Sequence, residues 1–380
     1  MNIKSINHSA KLSILSLAIL SSFGAVQAGS VTSTFATGDT LTATKMTEIR
    51  TAVNDNDSKV ATNTSSIANV FNGDGSALDL AISASTNWSS TPPANPNFAN
   101  CTIDAGFTLT VPAGSTIRCS GTFTNNGTLS VSFGATAEGA LNGLATSSGP
   151  TDSMTSIPHP GDTPGIASLG DSNDVSLKPT QSLGGGKPGK AIPEAVAITS
   201  FSNFRIGGGS GAGWDNQGLD GGGLVKIYCG GAIVNAGTIT ATGRSGANDA
   251  IGGGGGGIVI LASRTSVDNS AGTIDVSGGN GRAAISSFGG NGGGGGGGII
   301  IMIAPTAPVL GTETVTGGTG GTNTTSVSTN VRTAGGGGGG SGGQGGNGGS
   351  LSSTGVRGVA GAGSAGYVIS LTNDPLFMAH

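Results

Sequence analysis

Hydrophobic positions follow three patterns in turn along this chain. Between residues 46 and 70, Met46, Ile49, Val53, Asn56, Val60, Asn63, Ile67 and Val70 recur at alternating steps of three and four, the spacing of a coiled-coil seam. Met46, Val53, Val60 and Ile67 share one core position; Ile49, Asn56, Asn63 and Val70 share the other. Thr42 stands where an N-cap is wanted and no Gly or Pro intervenes before Gly73, so a helix is predicted over 42–72. From Cys101 to Ala135 the period shortens to two. Thr108-Leu109-Thr110-Val111, Thr116-Ile117-Arg118-Cys119, Thr122-Phe123-Thr124-Asn125 and Thr128-Leu129-Ser130-Val131 each turn apolar side chains to one face, with Gly106, Gly114, Gly121, Gly127 and Gly134 between them. Strands this short with single-glycine corners do not suit hairpins; they predict a single-stranded parallel β-helix with coils of about 18 to 25 residues.

Beyond Gly221 the strands become wholly apolar: Leu224 to Cys229, Ile258 to Leu261, Ile299 to Ile303 and Tyr367 to Leu371. Each follows a glycine run, starting at Gly221, Gly252, Gly292 and Gly335, and the first two are followed by Gly-Thr corners at Gly237-Thr238 and Gly272-Thr273. Asn235 and Asn269 precede those corners, where stacked amides can form a ladder.

Composition sharpens this picture. Glycine supplies 75 of 380 residues, about three times the usual share. The glycines come in runs, which excludes collagen, and the β-branched strands that follow them argue against a disordered polymer. The runs themselves admit two readings: extended polyglycine-II chains packed backbone to backbone, or flexible loops. The fold class expected is therefore all-β, a single-stranded parallel β-helix with glycine-rich repeats, possible polyglycine-II packing, and a short coiled-coil helix in front. The expected organisation is a signal peptide over 1–28, an N-terminal segment with the neck over 29–72, first coils over 73–143, a Pro/Gly/Ser-rich loop insertion over 144–220, and glycine-rich β repeats over 221–380.

Residues 1–28 carry the marks of export: Lys4 and Lys11, an apolar stretch from Leu12 to Leu20, and Val26-Gln27-Ala28 as a cleavage site. The apolar stretch is too short to span a bilayer. Losing two lysines there makes the net charge more negative than −4, which disfavours nucleic acid as a partner. In an oxidising compartment Cys101 and Cys119, one coil apart by count, are expected in adjacent rungs as a disulfide. Cys229 reads as a buried free thiol.

Candidate chemistry is sparse. His159 lies in a Pro-rich loop and His380 at the terminus, while Asp249, Asp268, Asp275, Glu313 and Asp374 are scattered. Asp152, His159, Asp162, Asp171 and Asp174 could assemble a cation site only by an unfamiliar spacing, so neither metal, cofactor nor catalytic residue is assigned. Thr108, Thr110, Thr116, Thr122, Thr124 and Thr128 are candidates for an outward hydroxyl surface that binds ice or glycan, although no regular Thr-x-Thr rank is evident in the repeats past residue 130.

Val53-Asn54-Asp55-Asn56 and Val60-Ala61-Thr62-Asn63-Thr64 resemble stalk repeats of trimeric autotransporter adhesins, which implies a parallel homotrimer; an amphipathic helix lying on its own domain fits the same residues. Gly38-Asp39-Thr40-Leu41-Thr42-Ala43, Phe71 to Ser76, Gly121 to Thr128 and Ile299 to Pro305 resemble uncharacterised glycine-rich secreted or surface proteins of bacteria. Gly231 to Gly243 is similar to filamentous-haemagglutinin-type adhesins, and the glycine blocks to phage tip adhesins. These resemblances imply a secreted or cell-surface fibre, matrix or adhesin component, not an enzyme, whose partners are its own copies or a surface glycan or protein receptor. The alternative is a β-helical carbohydrate-active enzyme with its site in 144–220.

Overall fold

The structure, a computed structural model, describes residues 43–134, 188–201, 204, 207–211, 219–246, 251–285, 289–326, 335, 337–352 and 354–378. The expected signal peptide, residues 1–28, lies outside them. The chain divides into two compact units, Met1–Ala68 and Asn69–His380. Helix α1, Ala43–Asn72, occupies the heptad segment.

In the second unit the short strands wind into coils that visit three parallel sheets in turn. β1 (Leu80–Ile82), β2 (Thr86–Asn87) and β3 (Asn97–Phe98) form the first coil. β4 (Cys101–Ile103), β5 (Thr108–Val111) and β6 (Ser115–Cys119) form the second. The third is β7 (Phe123–Asn125), β8 (Thr128–Val131) and β9 (Leu224–Cys229), and the fourth is β10 (Ile233–Asn235), β11 (Thr238–Thr240) and β12 (Ile258–Ser263). β13 (Val267–Asp268), β14 (Thr273–Asp275) and β15 (Ile299–Ala304) follow, then β16 (Thr312–Thr314) and β17 (Tyr367–Thr372). Sheet A runs β1-β4-β7-β10-β13, sheet B β2-β5-β8-β11-β14-β16, and sheet C β3-β6-β9-β12-β15-β17. The parallel β-helix read from the alternating strands is the fold.

Every glycine-rich segment leaves the helix after sheet B and returns at sheet C. Residues 132–223, 241–257, 276–298 and 315–366 are these four connections. Register survives even the longest of them, because β9 pairs directly with β6, Ile227 opposite Ile117. Insertions that project from one corner are stacked beside one another by the coils, so they are placed to pack together.

The described glycine runs in them pack as a polyglycine-II lattice, not as loops. Along one run Gly253 and Gly256 donate to Gly293 and Gly296, Gly254 and Gly257 to Arg244 and Ala241, and Gly255 to Gly209, all at 2.7–3.0 Å. Donors three residues apart thus meet the same neighbour, which is the three-residue turn of this conformation. The next run repeats it: Gly294 and Gly297 donate to Gly361 and Ser364, Gly295 and Gly298 to Gly279 and Val276, and Gly296 to Gly339. Glycine is required here for close approach; none of these residues has a positive φ. A Cβ on Gly295 would stand 1.9 Å from the Gly254 carbonyl oxygen, and one on Gly254 2.0 Å from that of Asp220.

The lattice explains why the sheet C strands lost their alternation. Val225, Ile227, Val259, Leu261, Ile300 and Met302 fill the coil interior. Their alternates Leu224, Tyr228, Ile258, Ile260, Ile299 and Ile301 form a second buried cluster outside it. Residues 188–201 and Phe204, which the sequence placed in the loop insertion, supply part of that outer layer. Helix α2, Glu194–Ser200, buries Ala197, and Ile192, Phe201 and Phe204 join the same cluster. The Ile192 amide donates to the Ser341 carbonyl at 2.7 Å, and Tyr367 Oη to the Ile192 carbonyl at 2.9 Å. At the end of α1, Phe71 stacks on Tyr228 at 5.1 Å and its carbonyl accepts from Arg118 Nε. Burial pushes the Tyr228 phenol up, so it stays protonated.

Candidate functional site

The outward face of sheet B carries the most regular side-chain array among the described residues. Pairing places Thr108, Thr128, Thr238, Thr273 and Thr312 in one column, and Thr110, Ser130, Thr240, Asp275 and Thr314 in a second. Between them Leu109, Leu129, Ile239 and Ile274 point inward and are fully buried, and on β16 the half-buried Glu313 holds that position. The sequence expectation that hydroxyl ranks stop near residue 130 is thereby corrected. The ranks continue, but glycine connections of unequal length separate them, so no fixed repeat template reveals them. Of the candidates named from sequence, Thr108, Thr110 and Thr128 lie on this face, while Thr124 lies on sheet A and Thr116 on sheet C.

An amide ladder lines the corner between sheets A and B. Asn125 Nδ2 donates to Asn235 Oδ1 at 2.7 Å, Asn235 Nδ2 to Asn269 Oδ1 at 2.6 Å, and Asn269 Nδ2 to Glu313 Oε1 at 2.7 Å. The three asparagines are buried. Asn125 and Asn235 also donate to the backbone carbonyls of Thr238 and Thr273, at 3.1 and 3.3 Å. The ladder therefore fixes the backbone from which the threonine columns project. Ile103 occupies the rung below Asn125, and Asn125 Oδ1 has no hydrogen-bond partner. Asn235 and Asn269 were legible as corner residues; Asn125 and Glu313 were missed as members, because only the stacking of distant coils joins them.

The cysteines are brought together differently from the sequence expectation. Cys101 and Cys119 are free thiols whose Sγ atoms lie 2.7 Å apart. They do not sit in adjacent rungs: Cys101 belongs to sheet A and Cys119 to sheet C, and they meet across the coil interior. The rung above Cys101 holds Phe123, and the one above Cys119 holds Cys229. The hydrogen bond with Cys119 and burial push the Cys101 thiol far up. For Cys119 the bond to Cys101 acts downward, but the bond with Cys229 and burial outweigh it. A thiolate is the reactive form, so native reduced protein is expected to resist iodoacetamide at Cys101 and Cys119, and at Cys229 through burial alone, and to react fully once unfolded. Oxidative refolding with glutathione disulfide is expected to yield a Cys101–Cys119 cross-link by peptide mass spectrometry, contributing about 3 kcal/mol. Rapid native alkylation of Cys101 or Cys119 would refute the burial.

Along α1, Met46, Val53, Val60 and Val70 are exposed, between 52% and 58%. Ile49, Asn56, Asn63 and Ile67 are half-buried, and Ala52 and Ala68 are buried. One core position of the heptad is thus open to solvent, except at Ile67. Asp152, His159, Asp162, Asp171, Asp174, Asp249 and His380 lie outside the described residues. Asp268 and Asp275 each accept a backbone N–H two residues ahead, and the Ser270 hydrogen bonds hold the Asp268 carboxyl below its usual range. Among the described residues no group of three or more His, Cys, Asp or Glu is placed to hold a metal ion, and no helix is long and apolar enough to cross a membrane. Comparison with protein-family models, curated proteins and solved structures finds no match to this chain.

Proposed function

We propose that the chain is a secreted or surface-exposed structural or adhesive protein, a fibre, matrix or adhesin component that binds through its repeat surface. The observation that carries this reading is the glycine lattice. A Cβ on most of its glycines would meet a neighbour's backbone at about 2 Å, so this large part of the chain serves rigidity and presentation and leaves no room for reacting side chains. Burial of β9, β12 and β15 of sheet C on both faces supports the same reading, since it leaves sheets A and B to face outward. The solvent-exposed Met46, Val53 and Val60 support self-association through α1, with the Asn56 and Asn63 of symmetry-related copies facing one another.

Two measurements test the reading. In the producing bacterium the chain is expected in the medium or open to protease added to intact cells, and its deletion is expected to weaken attachment to surfaces. Light scattering of the purified chain is expected to give a trimer mass, altered when Asn56 and Asn63 are both replaced by Ile. A cytosolic location with unchanged attachment would overturn the adhesive reading, and a monomer mass for both proteins would remove the trimer.

A further inference from the structure

We propose that the outward face of sheet B binds ice. The inference rests on reading the chain as a scaffold that presents surfaces, and it names the ligand of one of them. The two columns on β5, β8, β11, β14 and β16 are in unbroken register, Thr108-Thr128-Thr238-Thr273-Thr312 beside Thr110-Ser130-Thr240-Asp275-Thr314. Parallel pairing sets the rungs about 4.8 Å apart and the two columns about 6.7 Å apart, each within about a tenth of the oxygen repeats of hexagonal ice along its a and c axes. A crystal of neutral water offers no charge or shape to grip; only a matching two-dimensional repeat of hydroxyls and methyls distinguishes it from liquid water.

Three features make the face suited to that ligand. Threonine is stiff at χ1, so its hydroxyl and methyl hold their places with little entropy left to lose on binding. The amide ladder fixes the carbonyls of Thr238 and Thr273 from behind, and fully buried Leu109, Leu129, Ile239 and Ile274 anchor β5, β8, β11 and β14 between their outward residues, while on β16 the half-buried Glu313 takes that place and accepts from Asn269. The ten outward positions hold no aromatic residue and a single charge, Asp275. A saccharide site would be concave and lined with apolar or aromatic side chains; this face is an open sheet. On the other solvent-facing sheet the corresponding column, Thr102, Thr124, Val234 and Asp268, has no hydroxyl repeat.

The test is ice-affinity recovery of the purified chain, with ice-recrystallisation inhibition as a second readout. The wild-type chain is expected to concentrate in slowly grown ice. Thr240→Tyr and Thr128→Tyr, in the middle of the array, are expected to cut recovery by about fivefold or more, because a ring standing off the face spoils the preorganised match over neighbouring rungs. Thr124→Tyr on sheet A is expected to recover as wild type, and Asp275→Thr to recover better. Unchanged melting curves show that each variant is folded. Exclusion of the folded wild-type chain from ice would overturn the proposal, as would equal losses for Thr240→Tyr and Thr124→Tyr. Retention on insoluble polysaccharide that Thr240→Tyr abolishes, with no effect on ice, would assign the face to glycan and overturn it too. None of these outcomes depends on where the protein resides, so failure here is separable from failure of the adhesive reading.

Discussion

Gly295→Ala is expected to destabilise the chain by about 3 kcal/mol or more, at or beyond the upper range for overpacking a filled core. The added methyl would lie 1.9 Å from the Gly254 carbonyl oxygen, and that atom belongs to a backbone that cannot swing aside as a side chain does. Gly254 is itself held: its amide donates to Arg244 and its carbonyl accepts from Gly279. Moving either run breaks hydrogen bonds inside the lattice, where the freed groups find no water to replace them. Urea unfolding of the two proteins measures the loss. Gly106→Asn provides the contrast, since a Cβ on Gly106 would meet nothing within 4 Å and the residue sits at φ 85°, a region asparagine tolerates. If Gly295→Ala melts within about a degree of the parent, the runs are not packed as described.

Asn235→Leu is expected to cost about 2 to 4 kcal/mol, because it breaks two buried side-chain hydrogen bonds at once. Asn269 Oδ1 loses its donor, and Asn125 Nδ2 loses one of its two acceptors and keeps the Thr238 carbonyl. Replacing Asn125 and Asn235 together by Ile is expected to cost less than the two single changes summed. Ile103 already fills the same column one coil below Asn125, so the double change leaves the Asn269 amide oxygen without its donor, whereas Asn235→Ile alone also takes an acceptor from Asn125 Nδ2. Thermal melting of the single and double variants forms a double-mutant cycle. Strict additivity would show that the asparagines do not act as a ladder.

Local pattern made much of this fold legible. The period-two strands from Thr108 to Val131 name their own inward residues, and each one assigned inward, from Leu109 to Val131, is buried. The heptads over 46–70 lie in α1. The hydroxyl face was half legible: few residues separate its first two rungs, whereas long glycine-rich connections lie between the later ones and obscure the period. Helix α2 was missed, although Pro193-Glu194 followed by Val196, Ala197, Phe201 and Phe204 carries the start signal and apolar spacing of a short helix, because it stands in a stretch dominated by Gly, Pro and Ser.

What the amino-acid sequence determined alone was the set of strands and which of their faces is apolar, since a two-residue period follows from strand geometry whatever the strand packs against. Only the tertiary structure decided which coils lie above which. That stacking turned glycine runs into a lattice, set Cys119 beside both Cys101 and Cys229, and aligned threonines from five separate strands. Glycine has no side chain to specify a neighbour, so its partners are chosen by the β-helix that carries each run to the same corner.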